Sequence, residues 1–144
     1  MHVCAGEFRC LHCGALVSVD PLLSGVNNRN HCPYCLWSRH LDLHTPGDRL
    51  AACKGKMQPV GLSRKPGRNK YARACSGELL LVHLCDGCGK VSLNRLAADD
   101  DPEHMEAVLQ AASRLGNQAR LQLALAEVNL LDEAELATVR AQLY

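Results

Sequence analysis

Two Cys-x-x-Cys pairs, Cys10-Leu11-His12-Cys13 and Cys32-Pro33-Tyr34-Cys35, are separated by eighteen residues. Four thiols at that spacing are what a structural zinc ion takes, and no other feature of the chain restricts its fold as much. The expected arrangement is zinc-ribbon-like. Two knuckles at the ends of short β hairpins are clamped together through Cys10, Cys13, Cys32 and Cys35. Phe8-x-Cys10 reads as a strand entering the first knuckle, and Leu16-Val17-Ser18-Val19 as the strand returning. Pro21, Gly25 and Asn27-Asn28 mark a loop.

A third knuckle, Cys85-Asp86-Gly87-Cys88, follows a strand expected over Leu79 to Leu84, and Cys53 makes a half-knuckle upstream. Three thiolates leave a tetrahedral ion one ligand short, and His83, His40, His44 and Cys75 are the candidates for the fourth. His83, two residues before Cys85 on the same strand face, is favoured, with His40 as the alternative. The plainer possibility is a single zinc ion with Cys53 as a small buried hydrophobe. Cys4 and Cys75 read as free thiols.

Composition explains why metal is needed. In 144 residues only Phe8, Tyr34, Trp37, Tyr71 and Tyr144 are aromatic. Aromatic rings bury the most area per residue, so the core is modest, and bound zinc contributes folding free energy directly. Met1-His2-Val3-Cys4 is not followed by the pattern of a secretory signal, and no apolar run is long enough to span a bilayer. A cytoplasmic protein is expected, and in a reducing compartment paired thiols favour metal over disulfides.

The net charge of +1 conceals a division. Residues 1–98 carry 13 Lys/Arg against 6 Asp/Glu, and residues 99–144 carry 3 against 9. Two parts are expected: a zinc-ribbon domain over 1–101, with a mobile basic insertion at about 54–73, and a helical C-terminal segment over 102–144. Asp101-Pro102-Glu103 is a helix start, with Met105, Val108, Leu109, Ala112 and Leu115 on one face and Gly116 as the stop. A second helix is expected at about 118–129, and a third starts at the capping box Asp132-Glu133-Ala134-Glu135. The fold class is thus a small metal-stabilised α+β protein with two zinc sites. Its helices either cover the ribbon core, associate with each other, or dock a protein partner.

The basic stretch points to a polyanion. Arg49, Lys54, Lys56, Arg64, Lys65, Arg68, Lys70 and Arg73 are eight of the sixteen cationic residues, and no Asp or Glu occurs from 49 to 77. With Arg29 and Arg95 they form a candidate surface for structured RNA, the ribosome or another ribonucleoprotein. Tyr71 and Trp37 would stack on unpaired bases. The plain alternative is a solvated loop that balances the acidic tail.

The stretch Arg29-Asn30-His31-Cys32-Pro33 spells the name of the RNHCP domain family of bacterial proteins, and the wider pattern resembles that family. It includes Phe8-x-Cys10-x-x-Cys13-Gly14, His40-x-Asp42, Pro46-Gly47-Asp48-Arg49 and Cys53-x-Gly55-x-Met57-x-Pro59. His83-x-Cys85-x-x-Cys88-Gly89 and Asn94-Arg95-x-Ala97-x-Asp99-Asp100 complete it, so the resemblance spans roughly 8–101. It implies the metal-rich fold and assigns no activity. Arg29, Asn30 and His31 either serve the knuckle structurally or, with Arg95 and Asp48, form a polar gripping surface.

Catalysis is the weaker expectation. Cys35 followed by His40, Asp42, His44 and Pro46 is partly similar to HNH nucleases, in which a structural zinc supports a catalytic histidine. Here Leu43, not Asp, precedes His44, and Pro46 comes one residue early. A non-catalytic zinc protein without catalytic residues is expected.

Overall fold

A computed structural model describes residues 7–25 (backbone alone at 23 and 24), 31–40, 52–53, 55–64 and 78–143. The first knuckle is the turn of a hairpin between β1 (Glu7–Arg9) and β2 (Leu16–Ser18), with Phe8 opposite Val17. The loop expected after it contains a single helical turn, α1 (Pro21–Ser24). Asp20 accepts from the Leu22 amide at 3.0 Å, and Gly25 ends the turn in the left-handed region.

The larger sheet has the order β3-β4-β5-β6 and is antiparallel throughout. Its strands are β3 (Ser38–Arg39), β4 (Lys56–Arg64), β5 (Leu79–Cys85) and β6 (Val91–Arg95). The third knuckle is the β5–β6 turn, and β6 had no counterpart among the expected strands. The basic insertion expected at about 54–73 needs correction over 56–64, which is strand with Gly61, Leu62 and Ser63 buried. Residues 65–77 lie outside the described residues.

Proline and glycine ordinarily weaken a strand, and the structure shows why this one tolerates Pro59 and Gly61. The two-residue β3 pairs only with Met57 and Lys56, so Pro59 lies past its end, where no strand needs an amide donor. The register with β5 slips by one residue between Pro59 and Gly61, a bulge that glycine accommodates. A β-carbon on Gly61 would sit 2.9 Å from Leu130 Cδ2. The freed edge of β4 is covered by the chain at 129–131: the Leu131 amide donates to Leu62 O at 2.8 Å, and Ser63 Oγ donates to Asn129 O at 2.8 Å.

The C-terminal segment forms α2 (Pro102–Ala111), α3 (Asn117–Leu125) and α4 (Leu136–Leu143), with 3-10 turns at Ala112–Arg114 and Glu133–Glu135. Asp101 caps α2 by accepting from Glu103, and Pro102 occupies its first turn. The second helix stops earlier than expected, with Glu127 left-handed at φ 58° just beyond it. Side chains alternate along β5, so both faces of the sheet need cover. Leu79 and Leu81 pack with Leu36, Leu62, Met105, Leu109 and Val139. Val82 packs with Val60 and Leu123. Helices thus lie on both sides of the sheet, and the side chains of α2, α3 and α4 complete its core. No helix among the described residues is long and apolar enough to cross a membrane.

Candidate metal centres

Two clusters of metal-ligating side chains could each hold an ion: Cys10, Cys13, Cys32 and Cys35, and His40, Cys53, Cys85 and Cys88. Within each, the four donor atoms all lie within 4.8 Å of one another. In the first, Cys10 Sγ is 3.5 Å from Cys35 Sγ, and Cys13 Sγ is 3.6 Å from Cys32 Sγ. In the second, Cys53 Sγ and Cys85 Sγ are 3.6 Å apart, and Cys88 Sγ is 3.4 Å from His40 Nδ1. All seven cysteines among the described residues are free thiols.

The fourth member of the second cluster is His40, which corrects the preference for His83. His83 shares a face of β5 with Cys85, but that face turns into the core. There Nε2 donates to Leu36 O at 2.7 Å and Nδ1 accepts from Asn94 Nδ2 at 2.7 Å. With both nitrogens engaged, His83 has no lone pair for a metal. Burial, then the nearby His31, hold its pKa down to about 3, so the ring is neutral. His40 follows β3 directly, and its amide donates to Gly55 O at 2.9 Å, which draws it alongside Cys53. His44 and Cys75, the other candidates, lie outside the described residues, as does Cys4.

The knuckle backbone is shaped to the sulfurs. The amides of His12 and Cys13 point at Cys10 Sγ at 3.4 and 3.5 Å, and that of Tyr34 at Cys32 Sγ at 3.4 Å. Burial alone would raise the Cys10 thiol, but the amides of Cys13 and His12, with the side chains of Cys35 and Cys13, outweigh it and bring its pKa below the ordinary value. Cys85 is lowered in the same way, against burial, by the amides of Cys88 and Gly87. Cys32, Cys35 and Cys88 are raised, first by burial and then by neighbouring sulfur. A bound dication reverses that repulsion. In the second cluster, glycines make room: a β-carbon on Gly87 would be 3.0 Å from Cys53 Sγ, and one on Gly55 would be 3.2 Å from Cys85 Sγ.

Each knuckle ends in a left-handed residue after its second cysteine: Gly14 (φ 79°), Leu36 (φ 65°) and Gly89 (φ 79°). Leu36 carries a side chain where glycine is easiest because that side chain is 0% exposed in the main core. It joins the first metal centre to the helix-covered sheet. A second tie runs from the same knuckle. His31 Nε2 and Asp100 Oδ2 are 2.7 Å apart and buried, Asp100 Oδ2 also accepts from the Ala97 amide at 2.7 Å, and the Asp101 amide donates to Pro33 O at 3.0 Å. His31 therefore serves the structure and is not part of a gripping surface.

The expected RNA contacts fare unevenly. Lys56 is exposed, directly opposite exposed Arg39. Arg64 is taken up internally, bonded to Gln142 and 3.6 Å from a Glu135 oxygen, with its side chain 9% exposed. That position is therefore corrected from a nucleic-acid contact to a strand-to-helix tie. Arg95 is exposed and paired with Glu78 at 2.9 Å. Trp37 is half-buried, with one face stacked on His12 at 4.1 Å between ring centroids. Arg29, Arg49, Lys54, Lys65, Arg68, Lys70, Arg73 and Tyr71 lie outside the described residues.

The joined motifs now have a physical meaning: His31 meets Asp100, His83 meets Asn94, and His40 joins Cys53, Cys85 and Cys88. The model of the RNHCP domain matches residues 5–106. The chain belongs to the RNHCP domain family. Seven of the eight donors of its two centres come from the knuckles and half-knuckle, and His40 supplies the eighth; all fall inside the matched span. No curated protein and no solved structure matches the chain.

Proposed function

We propose that this RNHCP protein is a non-catalytic zinc protein of zinc-ribbon type that binds structured RNA and associates with the ribosome or another ribonucleoprotein. Zinc is favoured by donor chemistry. Thiolates at about 2.3 Å and imidazole at about 2.0 Å from a tetrahedral zinc are separated by about 3.5–3.8 Å. The observed 3.4–3.6 Å separations fall close to that range. Four protein donors in each cluster complete a closed, structural shell, whereas hydrolytic zinc keeps a position for water. Within the family's shared motifs, this leaves His40 a structural task.

The observation that carries the RNA reading is Arg39 directly opposite Lys56, both exposed, beside the second cluster. Like charges in direct cross-strand register are destabilising on their own, and an anion lying across them relieves the repulsion. This pair belongs to the part of the chain with 13 cations against 6 anions. Contacts of this kind read phosphate and shape without base sequence. Anisotropy titrations with structured RNA test the reading. Affinity is expected to fall steeply between about 50 and 200 mM salt, and Arg39→Glu with Lys56→Glu to reduce both affinity and the salt slope. Salt-independent binding, or none, would count against it.

A second reading, a protein-interaction adaptor, is favoured by Leu121 and Leu125, which lie one turn apart on α3 and are 53% and 71% exposed. Under it, Leu121→Ser with Leu125→Ser abolishes partner capture and leaves RNA affinity unchanged.

A further inference from the structure

The two clusters differ in how exposed their cysteines are. In the first, Cys32 is 0% and Cys10 6% exposed, Cys35 is half-buried, and Cys13 alone is exposed. In the second, Cys53 and Cys88 are both exposed, and Cys85 is buried. Cys53 Sγ and Cys85 Sγ stand 3.6 Å apart, too far for a bond and close enough to form one with a small movement. Glycines at 55 and 87 leave the flanks of this sulfur pair free of β-carbons. Any side chain there would press on the sulfurs at 3.0–3.3 Å.

We propose that the His40–Cys53–Cys85–Cys88 cluster is an oxidative modification site, in which a hydroperoxide joins Cys53 to Cys85 and expels the bound metal while the first cluster keeps its own. The proposal rests on the reading that both clusters hold zinc. The thiolate of Cys53, the exposed residue of the pair, attacks the peroxide O–O bond, forming a sulfenic acid and releasing hydroxide (or alkoxide). The buried Cys85 thiolate then attacks the Cys53 sulfur, forming the disulfide and releasing a second hydroxide. Two electrons pass from the two sulfurs to the peroxide oxygens, and solvent supplies two protons to the leaving oxyanions. Cys88 and His40 are left as two donors, half of what a tetrahedral ion requires, and the zinc departs. The first cluster is attacked more slowly because it exposes one cysteine, Cys13, where the second exposes two, Cys53 and Cys88.

The test uses the full chain loaded with zinc, its metal content measured beforehand. It is treated with hydrogen peroxide in the presence of a chromogenic zinc chelator, and the remaining thiols are alkylated and mapped by mass spectrometry. One of the two zinc ions is released first, with a Cys53–Cys85 linked peptide appearing at the same rate. Thiol reductant and added zinc restore the starting state. Simultaneous loss of both ions, first loss with Cys10, Cys13, Cys32 or Cys35 modified, or a link between any other cysteines overturns the proposal and leaves the two-zinc reading standing. A starting protein with fewer than two zinc ions overturns both.

Discussion

Leu36 offers a sharp test of how the first metal centre is joined to the core. It holds φ 65°, in the position that glycine occupies after the other two complete knuckles, and its side chain is 0% exposed among Leu62, Leu81, Met105 and Leu109. Leu36→Ala removes the buried side chain and keeps the unfavourable backbone, so a loss of about 3–5 kcal/mol is expected. Leu36→Gly removes the same contacts and also relieves a left-handed penalty of roughly 1–2 kcal/mol. Against that stands glycine's extra chain entropy of about 0.5–1 kcal/mol. The glycine variant should therefore be as stable as the alanine variant or up to about 1.5 kcal/mol more so. Leu81, equally buried in β5, is the control: there glycine should be worse than alanine by about 0.5–1 kcal/mol. Urea unfolding at fixed free zinc, followed by Trp37 fluorescence, measures all four. If Leu36→Gly falls more than about 1 kcal/mol below Leu36→Ala, the strained-plug account of Leu36 is wrong.

Three further outcomes follow from the two centres and the links between them. His40→Ala should lower metal content by one ion per chain, whereas His83→Ala should keep both ions and lower the thermal midpoint; elemental analysis with calorimetry separates them. Gly87→Ala should weaken the second centre selectively, because its β-carbon would come within 3.0 Å of Cys53 Sγ, and chelator competition should show that ion leaving at lower chelator concentration. Asp100→Asn, which removes the carboxylate facing His31 at 2.7 Å, should cost about 1.5–3 kcal/mol in urea unfolding with metal content unchanged.

The sequence made the knuckles legible because their ligands sit at fixed short spacings, and a turn of two residues leaves little else for the chain to do. The helix starts at Asp101 and Asp132 were legible for a similar reason, since capping is local chemistry. The choice between His40 and His83 was not local. Strand periodicity correctly put His83 on the face of Cys85, yet whether that face meets metal or core depends on Leu36 arriving from another knuckle. His40 reaches Cys53 only through the β3–β4 pairing, which a two-residue strand hardly announces. The strand at 56–64 was obscured because Pro59 and Gly61 normally interrupt strands. Only the shortness of β3 and the packing of Leu130 make them acceptable. Arg64 looked like one more member of a basic run, and nothing in its neighbours revealed Glu135 and Gln142 closing on it. Leu36 carried a usable signal: glycine follows the other two complete knuckles, so a leucine there already hinted at a side chain worth its strain.

The closure of the knuckles on one another depends on the two donor clusters holding metal. Native mass spectrometry of the purified chain, paired with elemental analysis, reads this directly. Two zinc ions per chain with every cysteine reduced is the expected result. A chain carrying none or one, or a mass lowered by the hydrogens lost to disulfides between Cys10, Cys13, Cys32 and Cys35, would contradict it.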